Sequence, residues 1–75
     1  MTLEFLNSLN GHVYKAIQNI LLEGKGLVIK PKGEEVKAIF DNDCVFTQTL
    51  EGIMIKDGKY VYFYTYDEIR EVHDY

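Results

Sequence analysis

The chain is poor in the residues that most often announce a chemistry. Cysteine occurs once, at Cys44. No internal disulfide can form, which excludes a stapled secreted scaffold. Proline also occurs once, at Pro31. No linker, repeat or low-complexity stretch interrupts the sequence, so a single domain over residues 1–75 is expected. Cations are scarce: 8 Lys and Arg stand against 12 Asp and Glu, a formal net charge of −4. Proteins that grip a phosphate backbone normally show a basic patch, so nucleic acid is a poor fit as partner. Long apolar runs are missing too. The first hydrophobic stretch carries Glu4, Asn7, Ser8, Asn10, His12 and Lys15. That is too polar for a signal peptide or a membrane span, so a reducing cytoplasm is the expected location, with no membrane partner.

Catalytic and ligand-binding signatures are equally thin. The only histidines, His12 and His73, have no metal-ligand spacing between them. Cys44 follows Asp43 and opens a β-rich stretch. An acidic neighbour and an apolar setting both raise a thiol pKa, which disfavours a reactive thiolate. Asp41-Asn42-Asp43 begins like a calcium loop, but Val45, Phe46 and Gly52 stand where an acid or amide, a glycine and a glutamate are required. Gly24-Lys25-Gly26 lacks the spacing of a phosphate loop. No Ser/His/Asp set is present, and no motif places a carboxylate pair. The expectation is a non-catalytic protein with no cofactor and no metal.

What is present suits a small folded unit. Apolar types make up 47% of residues, near the globular average, which argues against disorder. A chain of this size buries only about 60% of the surface its unfolded form exposes, so its stability margin is narrow. Leu3, Leu6, Leu9, Val13, Ile17, Ile20 and Leu21 recur at three- and four-residue steps. They predict one amphipathic helix over about 3–23, capped by Thr2 and stopped at Gly24. Gly11 is its weak point, and Asn10-Gly11 could divide it.

From Gly26 the period changes to two. Strands are predicted over 27–30, 36–40, 44–50, 53–56 and 59–66, with 67–72 a last short strand or a terminal turn. Turns fall at Pro31-Lys32-Gly33, Asp41-Asn42-Asp43 and Asp57-Gly58. The predicted fold is α+β. One helix packs on an antiparallel meander of about five strands over 27–72, enough to curl into a small SH3- or Sm-like barrel.

Asp57-Gly58 is the strongest local signal. A two-residue loop there sets Ile55 opposite Tyr60, Met54 opposite Val61 and Ile53 opposite Tyr62. One face then carries Ile53, Ile55, Tyr60, Tyr62, Tyr64 and Tyr66, and the other Met54, Val61, Phe63 and Thr65. Both faces are apolar, and one helix can cover only one of them. The second is covered by barrel closure, covered by another chain, or exposed.

Phe40-Asp41-Asn42 followed by Val45 resembles the strand-to-strand turn of Sm-like small barrels, and Tyr66 through Val72 resembles their closing strand. That resemblance implies a ring oligomer that binds single-stranded RNA. Two features depart from the family pattern: the helix is longer, and the closing segment Asp67-Glu68-Ile69-Arg70-Glu71 lacks the expected basic residues.

Charge adds a second candidate surface. Residues 1–40 carry a net +1 and residues 41–75 a net −5, with Asp67, Glu68, Glu71 and Asp74 clustered near the end. The function expected is a small acidic protein-binding module, an inhibitor or accessory protein of the mobile-element type, acting by surface complementarity. Its contact residues are expected in the row Tyr60, Tyr62 and Tyr64 or in the cluster Glu68, Glu71 and Asp74. A homodimer is a further expected assembly, because two apolar sheet faces and one helix leave surface to cover.

Overall fold

The computed structural model describes residues 2–75. The mixed α+β class holds: helices come first and two antiparallel sheets follow. The helical segment is divided, though not at Asn10-Gly11. A single turn, α1 (Leu3–Leu6), is followed by a longer helix, α2 (Leu9–Leu22). The break lies at Asn7-Ser8, and Ser8 is its cause. The Ser8 hydroxyl donates to the Phe5 carbonyl at 2.6 Å and accepts from the Gly11 N–H at 3.0 Å. One side chain thus caps the start of α2 and holds the end of α1.

Gly11 lies inside α2, where the two helices come closest. A Cβ there would sit 1.9 Å from the Phe5 carbonyl oxygen, so only glycine permits the corner. The break also changes the helical phase. Phe5, Val13, Tyr14, Ile17, Ile20 and Leu21 face the core. Leu3 and Leu9, placed on the buried stripe by the one-helix reading, are exposed.

Among the described residues six strands form, one more than the meander of about five. They are β1 (Leu27–Pro31), β2 (Ala38–Phe40), β3 (Val45–Gln48), β4 (Gly52–Asp57), β5 (Tyr60–Thr65) and β6 (Ile69–Asp74). A single 3-10 turn, Tyr66–Glu68, joins the last two. The strands make two sheets, ordered β2-β1-β6 and β3-β4-β5. Only the second is a meander. β6 returns to pair with β1, and no ladder joins the two sheets, so neither closes into a barrel.

One core serves both sheets and α2: Ile17, Leu27, Ile29, Phe40, Ile53, Ile55, Tyr66 and Ile69. In β6, Ile69 and Val72 both pack toward it despite their three-residue spacing. A bulge opposite Lys30/Pro31 accounts for this, because the extra residue resets the alternation. Tyr66 is the largest fully buried side chain. Its hydroxyl donates to the Thr49 carbonyl at 2.5 Å. Its ring meets Tyr14 edge-on at 5.9 Å and lies 6.3 Å from Phe5. Among the described residues, no helix is long and apolar enough to cross a membrane.

Candidate protein-binding face

The hairpin reversal sits one residue later than the sequence predicts. Asp57 pairs with Tyr60, and Gly58 and Lys59 form the loop. Gly58 alone takes a positive φ, +60°, as a type II′ turn requires of its first central residue. The partners therefore move: Ile55 faces Tyr62, Met54 faces Phe63 and Ile53 faces Tyr64. This is a slip of two residues. Side chains alternate with a period of two, so the composition of each face is unchanged.

The inner face is built by Phe46, Ile55 and Tyr62 in one row and by Gln48, Ile53 and Tyr64 in the next. Along β5 and just past it the tyrosines grade from solvent to core. Tyr60 is 59% exposed at the hairpin tip, Tyr62 is 38%, Tyr64 is half-buried and Tyr66 is 1%. Phe40 of the other sheet explains the gradient, since its ring lies 5.2 Å from that of Tyr62 and 6.2 Å from that of Tyr64. Burial lifts the Tyr64 hydroxyl above its ordinary pKa. Of the predicted contact row, Tyr60 and the rim of Tyr62 are presented to solvent, while Tyr64 is mainly a packing residue.

The outer face is the uncovered one. Its rows are Val45, Lys56 and Val61, then Thr47, Met54 and Phe63. Neither helix and no strand of the first sheet covers it. Val45 and Val61 are 60% exposed, Phe63 49% and Met54 40%. Monomers seldom leave a contiguous apolar cluster of this kind open. Lys56 at its centre and Lys59 at the tip are its cations.

The acidic cluster is not a single surface. Lys30 lies directly opposite Glu71 across β1 and β6, with Nζ 3.1 Å from Oε2. That hydrogen bond and charge hold the Glu71 carboxyl below its usual range, and His73 adds a contact at 3.5 Å. Lys25 reaches Asp74 at 3.0 Å and Glu23 at 3.2 Å, which lowers the Asp74 pKa and raises that of Lys25. Asp67 accepts the Thr65 hydroxyl at 2.5 Å. Glu68 is exposed. Two of the three predicted acidic contact residues, Glu71 and Asp74, are therefore already engaged by lysines of the same chain.

Cys44 packs against the core edge. Burial, followed by the charges of Asp57 and Asp41, pushes its thiol pKa up, which suppresses the thiolate. No three His, Cys, Asp or Glu among the described residues gather as a metal site would need. A shallow, open cleft of about 230 Å³ lies between Leu21, Gly24, Lys25, Asn42 and Phe46. Its one charged group, Lys25, is tied to Glu23 and Asp74. No protein-family model, curated protein or solved structure matches the chain.

Proposed function

We propose that this protein is a non-catalytic protein-binding module whose contact surface is the outer face of β3-β4-β5. The reading rests on one observation: four apolar side chains, Val45, Met54, Val61 and Phe63, share that face and stand in solvent. Tyr60 and the rim of Tyr62 extend the same hairpin. Large, rigid side chains with little charge among them form the centre of many protein interfaces. Glu68 would contribute an acidic rim, with Glu71 and Asp74 of the other sheet held by Lys30 and Lys25. An inhibitor or accessory role, with the partner held by fit rather than transformed, agrees with this surface.

The alternative of an RNA-binding small barrel finds less support. Lys25 and Lys30 are engaged by acids, and the free cations of the second sheet sit at and near one hairpin tip.

Affinity capture from native cell extract, followed by mass spectrometry, tests the reading. Wild-type protein should retain a partner that a Val61→Glu/Phe63→Glu variant loses. Both side chains are solvent-exposed, so the variant should keep the wild-type circular dichroism spectrum. The interaction should respond weakly to salt. A partner still captured by that variant but released by Glu68→Lys/Glu71→Lys, with steep salt dependence, would move the site to the acidic rim. A gel shift at low salt should show no retardation of single-stranded RNA at micromolar protein, and clear retardation would favour the alternative.

A further inference from the structure

We propose that β5 is a self-association edge: two copies pair their β5 strands antiparallel about a two-fold axis at Phe63, joining two three-stranded sheets into one. This goes beyond the protein-binding reading, which a single copy can satisfy.

Exposed strand edges are normally blunted by shortness, charge, proline or a bulge. β2 has three residues and β3 has four. β6 carries Arg70, Glu71 and Asp74 and is bulged. β5 has none of these defences, since its six residues, Tyr-Val-Tyr-Phe-Tyr-Thr, are uncharged and unbroken. Its backbone pairs with β4 alone.

The two-residue loop settles which peptide groups are free. In such a hairpin the pair flanking the loop exchanges both hydrogen bonds, and alternate pairs follow suit. Tyr60, Tyr62 and Tyr64 therefore point their N–H and C=O groups at β4. The Tyr66 N–H continues that series by donating to Glu51 O at 3.2 Å. Val61, Phe63 and Thr65 point theirs outward, away from β4, and of these groups only the Thr65 carbonyl is already engaged, as the cap of the 3-10 turn that follows.

A second copy supplies matching groups in one register. With the axis at Phe63, Phe63 pairs with Phe63 of the partner subunit, and Val61 with Thr65 at both symmetry-related positions. The two Phe63 residues then exchange both bonds, each Thr65 N–H reaches a Val61 carbonyl, and the Thr65 carbonyl offers the Val61 N–H its second lone pair. Parity is kept, so outer side chains meet outer side chains. Charge agrees as well. Lys59 precedes the strand and Asp67 follows it, so the antiparallel pair brings opposite charges together at both ends. The edge is short compared with interfaces of about 800 Å² per partner, so a weak dimer is expected.

Sedimentation of the full chain over about a hundredfold dilution range should show a monomer–dimer equilibrium. Amide hydrogen exchange at Val61, Phe63 and Thr65 should slow as concentration rises, with Tyr60 to Tyr64 at even positions unaffected. Lys59→Glu should raise the dissociation constant about fivefold, and Lys59→Glu/Asp67→Lys should restore it, as expected for two rim ion pairs. Both substitutions are at exposed positions, so folding is not at stake. A monomer at every concentration, a dimer whose Val61, Phe63 and Thr65 amides exchange at a concentration-independent rate, or a charge swap without rescue would each overturn the proposal. None of these results bears on partner capture by the outer face, because the charge-swap variants leave Val45, Met54, Val61 and Phe63 unchanged.

Discussion

Tyr66→Ala is expected to cost about 3–5 kcal/mol, the usual range for deleting a buried aromatic ring. A domain of this size has about 4–11 kcal/mol in total, so the variant should be marginally folded at best. Tyr66 links α1, α2 and the β3-β4 loop, through its ring contacts with Phe5 and Tyr14 and its hydroxyl bond to Thr49. Tyr66→Phe keeps the ring and removes only the hydroxyl. Its cost should be about 1 kcal/mol, because Thr49 is exposed and its carbonyl can turn to water. Urea unfolding measures both, as a lower midpoint with an unchanged slope. A Tyr66→Ala midpoint close to wild type would mean that the aromatic cluster is not what holds the layers together.

The same residue predicts a pH limit. Burial raises the Tyr66 hydroxyl to about 12 from an ordinary 10. The folded state therefore holds this proton more tightly than the unfolded chain does. The stabilisation is complete below pH 10 and is lost as pH climbs toward 12. Tyr66→Phe should flatten that part of the alkaline unfolding profile.

Gly11→Ala is the second large effect, and its sign is the informative part. In an ordinary helix interior alanine gains about 1 kcal/mol over glycine. Here the new methyl would meet the Phe5 carbonyl oxygen at 1.9 Å and Leu6 Cα at 2.8 Å. Both are backbone, so no rotamer relieves the clash. The cheapest response is for α1 to swing off α2, which forfeits the Phe5 contacts with Tyr14 and Tyr66. The loss is capped by the value of docking that turn, about 1–3 kcal/mol given ring pairs of 0.5–1.5 kcal/mol each. In a chain lacking residues 1–7 but keeping the Ser8 cap, the same substitution should become stabilising by about 1 kcal/mol. Thermal unfolding of the four proteins tests this as a cycle. Gly11→Ala that stabilises the full-length chain would show that the corner is not tight.

Much of this was legible from residue order, and the parts that were not have particular causes. The α+β class follows from the change of period at Gly26, and the composition of the two β4-β5 faces follows from parity alone. The sequence predicts one helix because the apolar stripe is continuous, with a glycine as its weak point, whereas two helices form. In three dimensions Gly11 is a contact point, and the breaker is a serine bonding in both directions. The strand count fell short because Ile69 and Val72 lie three apart, and only a bulge turns both inward. For the site, the two-sided apolar hairpin was visible, but which face stayed open was not. That depends on Phe40, from a strand far away in sequence, packing on the inner tyrosines. The engagement of Glu71 and Asp74 was hidden for the same reason, since their lysines belong to β1 and to the loop before it.

The return of β6 to β1 also has a consequence for how the chain is made. Leu27 pairs with Asp74, and Gly26 and Tyr75 exchange backbone hydrogen bonds, so β1 emerges from the ribosome well before its partner β6. Until then the nascent polypeptide carries β1 with one side unzipped. Closing so distant a ladder is entropically slow. The helical corner and the β3-β4-β5 hairpins can form early from local contacts, and closure of the β1-β6 ladder comes after them.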